Sequence, residues 1–409
     1  MKKKLYIITR AIKITALLLI VVLFSLVLQS YVLVHYDGNR MRLDGYYLEE
    51  KNSLDVVFIG ASDIYASFAP GLAYEKFGFT SYSYATASST AGAAKTMLKE
   101  VMRTQNPQKI VIEVNAFLYG FDNDSKISSV RNYIDNVPLN ENKIEYLQSG
   151  AIPEGEEEIE YYLPLIKYHS TWNDYPEPSG KYLSQIITQH MDGSTKLKGY
   201  RTQTAFCKTA PGYPCINNTL ARNDKTLSLL PEYEAKLRDL LEYCKEQELD
   251  VLFIRTPHMV DKSTYGRFKR ANAVGKIIRE YGFDYVNFER DSNTLAYTES
   301  DYYNIDHLNF YGSAKFTEYL GSILTEKYGV KKSELSEKQK KNWDTAAEYY
   351  HKLYDYADKY TNTEYKETGH IQTLEENKTV MGYIDNYAEK GEIPKAKVTP
   401  TNPSEEPEI

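Results

Sequence analysis

A serine and a histidine occur in the sequence contexts that nucleophilic catalysis requires. Ser62 directly follows an apolar run, within the stretch Gly60–Asp63 (GASD). His307 lies in the stretch NIDHLNFYGSAKF, with Asp306 beside it and Asn304 three residues before it. A serine nucleophile needs a base, and the base needs an acceptor that orients it. The four polar residues therefore indicate acyl-transfer chemistry through a serine.

Each of these residues also has a structural alternative. Serine is a favoured N-cap of helices, and a single histidine is more often structural than catalytic. The joint placement favours function: Ser62 would end the first strand and His307 would follow the last one. Both would then meet at the edge of a parallel sheet where α/β proteins bind ligands. A helix that begins at Ser62 would also offer backbone N–H groups to an oxyanion.

The elements that would position these residues are apolar runs of strand length, alternating with helical segments. Such alternation is typical of a parallel sheet covered by helices on both faces, so we expect a three-layer α/β/α fold. The predicted strands are Leu54–Ile59, Lys109–Val114, Asp250–Ile254 and Tyr285–Phe288. The predicted helices are Ala94–Arg103, Pro231–Gln247, Arg267–Tyr281 and Gly312–Tyr328.

Two regions depart from this alternation. The stretch from about 120 to 230 is rich in Asn, Asp, Glu, Tyr and Pro, and we interpret it as an insertion within a domain spanning 37–330. It would either shape a substrate site or decorate the surface. Residues 331–392 are predicted to be a helical extension that contains the helix Ser336–Tyr360. The Pro-, Glu- and Lys-rich segment 393–409 is predicted to be disordered.

An apolar segment near the N-terminus predicts the compartment. Residues 14–34 contain no charge and are long enough to cross a bilayer as a helix. Lysines and arginines precede them within residues 1–13, so the positive-inside rule makes that tail cytoplasmic and the rest extracytoplasmic. A cleaved signal peptide is the alternative, but the segment ends in bulky residues rather than a small-x-small site. The predicted location is the cell membrane, with a single pass.

Composition and cysteine content narrow the classes further. The net charge of −7 argues against nucleic acid as a partner, because phosphate binding needs a basic surface. Three cysteines are too few for a disulfide framework. Cys207 and Cys215 bracket a Pro/Gly-rich loop that a disulfide would close outside the cell, and Cys244 lies on a predicted helix. Neither cysteine nor histidine spacing predicts a metal site.

The 38 tyrosines of the chain leave two interpretations open. They would form a polar aromatic surface for contact with glycans, or they would reflect codon bias in an AT-rich genome.

The blocks around Ser62 and His307 resemble the first and last signature blocks of the SGNH/GDSL hydrolase superfamily. The resemblance covers roughly Leu54 to Tyr328, and DHLNFYG is its more specific part. With the N-terminal anchor, the chain is similar to membrane-tethered SGNH proteins of bacterial envelopes, including the teichoic-acid D-alanylation and alginate-acetylation groups. Those proteins work beside membrane-bound O-acyltransferases.

The resemblance implies roles for individual residues. Ser62 would be the nucleophile and His307 the base. The family usually places an aspartate three residues before the histidine, where this chain has Asn304, so Asn304 and Asp306 remain alternatives for orienting the imidazole. An asparagine holds one tautomer but cannot stabilise the imidazolium by charge.

Four further residues are candidates for oxyanion or substrate contacts. The resemblance implies an oxyanion donor at Asn115, whose alternative is an Asx turn that closes the strand. It implies another in Tyr84–Gly92, where no single residue matches clearly and Ser88 is our candidate. Arg255 and His258, in RTPH after a predicted strand, would face the same edge and bind an anionic group.

The expected function is a membrane-anchored, extracytoplasmic serine acyl esterase or O-acyltransferase that acts on a cell-envelope glycopolymer and needs no cofactor. The expected partners are this polymer, the membrane through residues 14–34, and a membrane-bound O-acyltransferase, but not nucleic acid. The alternative is a catalytically inactive SGNH-fold binding or assembly protein for envelope polysaccharide or for a membrane-bound O-acyltransferase.

Overall fold

The computed structural model describes residues 2–28, 37–174, 179–193, 195–201, 219–291, 294–298 and 301–360. Its centre is a five-stranded parallel sheet with the strand order β2-β1-β3-β4-β5. The strands are β1 (Val56–Gly60), β2 (Ser81–Ala85), β3 (Lys109–Glu113), β4 (Val251–Arg255) and β5 (Asp284–Asn287). The predicted α/β class with a parallel sheet is confirmed.

Helices cover the sheet and extend the chain at both ends. Those before β4 are α1 (Lys2–Val27), α2 (Gly38–Leu48), α3 (Ser62–Tyr65), α4 (Pro70–Phe77), α5 (Ala93–Thr104), α6 (Ile127–Ile134), α7 (Glu141–Tyr146), α8 (Glu158–Tyr162), α9 (Pro164–Tyr168), α10 (Ser179–Asp192) and α11 (Pro231–Glu246). Those after it are α12 (Tyr265–Glu280), α13 (Phe310–Ser322) and α14 (Glu337–Tyr360). A short antiparallel hairpin, β6 (Tyr302–Asn304) and β7 (His307–Leu308), precedes α13.

Both faces of the sheet are buried, which explains why β1 reads as a continuous apolar run. Val57 and Ile59 belong to one core cluster, together with residues of α5 and α11. Val56 and Phe58, which point the other way, belong to a second cluster with residues of α13. A parallel strand between two helical layers needs apolar side chains at every position.

The second strand was not predicted, because its sequence SYSYA contains no apolar run. Its tyrosines alternate with serines, and Tyr82 and Tyr84 are fully buried in the main core cluster. Tyr46 of α2 packs against both rings, with centroids 5.4 and 4.4 Å away. Many tyrosines therefore lie in the interior, which limits the expected aromatic surface to those that remain exposed.

The apolar helix α1 is long enough to cross a membrane over Leu5–Val27. The large apolar side chains along this span are more than half exposed, as expected of a helix that faces lipid. The helix begins at Lys2, earlier than the predicted span of residues 14–34, so the predicted tail 1–13 is largely helical. Residues 29–34 of the predicted span lie outside the described residues.

The insertion is partly built into the core. Helix α6 contributes Val130, Tyr133 and Ile134 to the cluster beneath α5, so this part is more than surface decoration. The predicted helix Ser336–Tyr360 is observed as α14, which packs on α4 with Trp343 5.4 Å from Tyr74.

The remaining predictions concern the three cysteines and the C-terminal residues. Cys244 is buried, as its helix suggested. Cys207, Cys215 and residues 361–409 lie outside the described residues.

Candidate active site

Ser62 lies at the carboxyl edge of the sheet, where β1 passes into α3. Gly60 is the last residue of β1. A Cβ there would lie 2.9 Å from the Cβ of Glu113, so the close packing of β1 on β3 requires glycine. Ala61 then takes an extended conformation, and Ser62 begins the helix. The backbone N–H groups of Ser62 and Asp63 are the first of α3 and have no acceptor within the helix. The hydroxyl of Ser62 remains partly exposed.

The hairpin β6–β7 brings the base to this serine. His307 Nε2 lies 2.8 Å from Ser62 Oγ. The same hairpin pairs Asn304 opposite His307, and His307 Nδ1 lies 2.9 Å from Asn304 Oδ1. The three side chains form a continuous Ser-His-Asn relay.

The backbone fixes which tautomer this relay uses. Asn304 Oδ1 also accepts a hydrogen bond from the backbone N–H of Asp306 at 2.9 Å. Since a backbone N–H can only donate, the amide oxygen must face the hairpin turn. His307 Nδ1 then carries the proton that it donates to this oxygen, and Nε2 presents its lone pair to the hydroxyl of Ser62. This is the arrangement that a general base requires.

The environment of His307 keeps its imidazole neutral. Burial lowers the pKa of His307 below its ordinary value of 6.5, and the charge of His258 lowers it further. The Asp63 carboxylate opposes this shift. The neutral imidazole is the form that takes a proton from serine.

Two residues of the last block hold the base in place without touching it. Asn309 caps α13 by accepting hydrogen bonds from the backbone N–H groups of Tyr311 and Gly312, at 3.0 and 3.2 Å. A Cβ on Gly312 would lie 2.1 Å from the carbonyl oxygen of Asp301. The sequence DHLNFYG thus supplies a base, a helix cap and a close backbone contact.

The structure places the alternative acids away from the imidazole. Asp306 forms an ion pair with Arg267, and Asp301, further upstream, pairs with Lys315 at 2.9 Å. Of the residues weighed for orienting His307, Asn304 is the one that contacts its ring.

Beneath Ser62 lies a buried network of charged and polar side chains. Asp63 accepts from His258 Nε2 at 2.5 Å and from Asn115 Nδ2 at 2.9 Å. Arg255 donates to Glu289 at 2.9 Å, to Asn115 Oδ1 at 2.8 Å and to Glu113 at 3.2 Å. The network consists of Asp63, Glu113, Asn115, Arg255, His258 and Glu289, each less than 5% exposed.

Burial and charge oppose one another in this network. Burial alone would raise the pKa of Asp63, but the hydrogen bond and charge of His258, with Arg255, hold that pKa well below its usual range. For Glu113, burial and the nearby Asp63 carboxylate raise the pKa to about 8. Asp63 is therefore the ionised carboxyl group next to Ser62, and the position of Glu113 disfavours its charged form.

The remaining candidates occupy different positions. Asn115 uses its amide nitrogen on Asp63 and its oxygen on Arg255, so it supports the network directly below Ser62 rather than aiming an uncommitted donor at it. Arg255 is 1% exposed and surrounded by carboxyl groups, so it does not face a ligand as predicted. Ser88 is exposed in the loop after β2 with φ of +51°, and no contact with Ser62 or His307 is recorded for it within the described chain.

No protein-family model, curated protein or solved structure matches this chain. The site is therefore interpreted from its own geometry.

The roles of Asp63 and His258 in the network were not predicted. Asp63 was given no role beyond its place in GASD, and His258 was predicted to bind an anionic group. The signal was present, because Asp63 follows β1 and RTPH follows β4, and parallel strands end at the same edge. The sequence could not show that both side chains turn inward and pair.

Proposed function

We propose that this protein is a serine acyl esterase or O-acyltransferase that works through an acyl-Ser62 intermediate. One observation carries the proposal: Ser62 Oγ, His307 and Asn304 form a hydrogen-bonded relay at the carboxyl edge of a parallel sheet, with spacings of 2.8 and 2.9 Å. These spacings fall in the range of about 2.6–3.2 Å expected between a nucleophile, its base and the group that orients it.

The proposed reaction has two steps. Ser62 Oγ attacks the carbonyl carbon of an acyl donor, and its proton passes to His307 Nε2. The backbone N–H groups at the start of α3 stabilise the oxyanion. The tetrahedral intermediate expels the donor's alcohol or thiol, which takes the proton from His307. Water or a polymer hydroxyl then attacks acyl-Ser62 by the same sequence of proton transfers and frees the serine.

The proposed setting follows from α1 and from the resemblance to envelope SGNH proteins. An N-terminal anchor with positive charge at its start favours an extracytoplasmic position of the α/β domain. The proposed acceptor is a hydroxyl-bearing envelope glycopolymer, and the proposed partner is a membrane-bound O-acyltransferase that would supply the acyl group.

The experiment is labelling of the full-length protein, in detergent micelles, with a fluorophosphonate that carries a fluorescent group. We expect labelling of the wild type and none of Ser62→Ala. The matched control is Ser67→Ala, which removes a nearby serine whose hydroxyl only bonds to the carbonyl oxygen of Asp63; it should be labelled like the wild type. Labelling that persists in Ser62→Ala would refute the assignment of the nucleophile.

A second candidate function is a binding or assembly protein that keeps the fold without catalysis. The observation that favours it is Asn304, because an amide cannot balance the charge of an imidazolium as a carboxylate does. A well-folded wild-type protein that resists the fluorophosphonate would favour this candidate.

A further inference from the structure

A buried arginine lies beside α3, the helix that begins at Ser62, and no described carboxylate contacts it. Arg42 of α2 is only 6% exposed. Its Nε donates to the carbonyl oxygen of Ala85 at 3.1 Å, and one terminal nitrogen donates to Asn39 Oδ1 at 2.9 Å. Its guanidinium lies over the ring of Tyr65, 3.7 Å from the centroid. Every one of these partners is neutral, so the described residues leave a buried positive charge unpaired.

The nearest acidic group does not neutralise this charge directly. Asp37 caps α2: its carboxylate accepts hydrogen bonds from the backbone N–H groups of Asn39 and Arg40 and from the side-chain amide of Asn39. Burial lowers the pKa of Arg42, and Asp37 only partly offsets this. A buried charge without an ionic partner is costly unless a ligand supplies the opposite charge.

A second arginine, Arg201, follows a segment whose backbone is fixed by contacts with β2 and α13. The insertion passes beside β2 at Lys198, where the backbone N–H of Ser83 donates to the carbonyl oxygen of Lys198 at 3.1 Å. Gly199 has φ of +83° and a Cβ there would lie 2.4 Å from the Ser83 carbonyl oxygen, so only glycine fits. The Tyr200 hydroxyl then bonds to Ser313 Oγ at 2.7 Å.

This path fixes the backbone of Arg201 beside α3. The backbone N–H of Arg201 donates to the carbonyl oxygen of Tyr65 at 2.8 Å, and Tyr65 lies one helical turn after Ser62. The Arg201 side chain is partly exposed and has no ion pair with any described residue. Its positive charge acts on both neighbours, because it adds to the burial that lowers the pKa values of Arg42 and of His307.

We propose that Arg42 and Arg201 form an anion subsite that holds a phosphate or carboxylate group of the substrate next to Ser62. Guanidinium groups suit both anions because their planar N–H donors match paired oxygens. Arg42 supplies a fixed buried charge, and Arg201 supplies the accessible donors. This inference deepens the proposed acyl transfer and rests on it: the acyl donor or acceptor would carry a negative group close to the reacting ester.

The test measures binding rather than catalysis, so that the subsite and the acyl transfer can fail separately. The full-length Ser62→Ala protein in detergent micelles is titrated with three oligomers: glycerol phosphate, galacturonate and neutral dextran. We expect an anionic oligomer to bind more tightly than dextran, with an affinity that falls as salt rises. Tighter binding of glycerol phosphate would assign the anion as a phosphate, and tighter binding of galacturonate would assign it as a carboxylate.

Variants then locate the anion. Adding Arg201→Gln should weaken binding of the preferred oligomer by roughly tenfold to a hundredfold, and Arg42→Lys should weaken it less because the charge remains. The matched control is Arg238→Gln on α11, whose guanidinium already pairs with Glu234 and Glu280 at the surface; binding should not change. The subsite would be refuted if dextran bound as well as the anionic oligomers, if none of the three bound, or if Arg201→Gln had no effect. Fluorophosphonate labelling of the protein that retains Ser62 tests the acyl transfer separately from this binding measurement.

Discussion

At the scale of single residues, the amide of Asn304 sets the character of the site. It orients His307 as well as a carboxylate would, because its oxygen is fixed by the backbone N–H of Asp306. It adds no negative charge, however, so the charges that raise the pKa of His307 come from Asp63 and Asp306. The imidazole of His307 is therefore well oriented, but its protonated form gains no charge stabilisation from Asn304.

The variant Asn304→Asp tests this charge argument. A carboxylate would still accept from Asp306 and from His307 Nδ1, but it would favour the imidazolium and raise the pKa of His307, by about one unit or more. Labelling needs the neutral imidazole, so its rate rises as pH increases through that pKa. The rising limb of the pH–rate profile should move to higher pH in the variant.

A matched variant separates orientation from charge. Asn304→Ala removes the acceptor altogether, and we expect the labelling rate to fall on the order of a hundredfold at every pH. An unchanged limb in Asn304→Asp would contradict the role given to Asn304.

The buried Arg255 makes a second prediction at this scale. Replacing it by methionine would remove the guanidinium that pairs with Glu289 and that, together with His258, offsets the charge of Asp63, which should destabilise the fold by about 3–5 kcal/mol. Arg238→Met, which breaks surface pairs instead, should cost less than about 1 kcal/mol. Urea unfolding of the two variants measures the difference, and equal shifts of the midpoint would show that the network does not stabilise the fold.

The sequence predicted that Ser62 and His307 would lie together but not which group contacts the histidine. Ser62 and His307 could be brought together because strand ends in a parallel sheet share an edge. The choice of Asn304 over Asp306 depends on the register of β6 and β7, two very short strands within a stretch interpreted as a loop. No hydrophobic pattern marks strands of two and three residues.

At the scale of elements, close backbone contacts hold the site together. The hairpin carrying His307 is pressed against the first turn of α13, where Gly312 leaves room for the carbonyl oxygen of Asp301. Strand β2 was not predicted because its alternating serines and tyrosines look polar in sequence. Its tyrosine rings are buried through contacts with Tyr46 and other distant residues, which the local pattern does not contain.

Gly312→Ala tests the contact between hairpin and helix. The new methyl group would lie 2.1 Å from a carbonyl oxygen unless the elements separate, which would move His307 away from Ser62. We expect labelling to fall by more than tenfold and stability to fall by about 1–3 kcal/mol. The control is Gly266→Ala in α12, where the nearest atom is 3.6 Å away; it should keep full labelling and gain up to about 1 kcal/mol. Similar behaviour of both variants would contradict the packing argument.

At the scale of the whole molecule, an exposed apolar helix precedes a well-packed α/β domain. The domain begins with its own helix cap, Asp37, which accepts from the backbone N–H groups of Asn39 and Arg40. The core clusters of the sheet contain no residue of α1. The α/β domain should therefore fold without the anchor.

Truncation to residues 37–409 tests this division. We expect the truncated protein to remain in the soluble fraction and to be labelled at Ser62 at the wild-type rate, whereas the full chain should sediment with membranes after an alkaline carbonate wash. The control starts at residue 43, which removes Asp37 and Arg42 together with the first turn of α2; it should be less stable. A soluble full chain, or an unfolded protein starting at residue 37, would contradict the division.

The short connection between α1 and α2 limits how far the α/β domain can lie from the membrane. Ten residues, 28–37, join the two helices, and a chain of that length spans at most about 36 Å. For an anchor embedded in the bilayer, the start of α2 then stays within that distance of the membrane surface. Under the proposed function, the site would act on newly exported or lipid-linked chains near the membrane rather than on mature polymer in the outer layers of the wall.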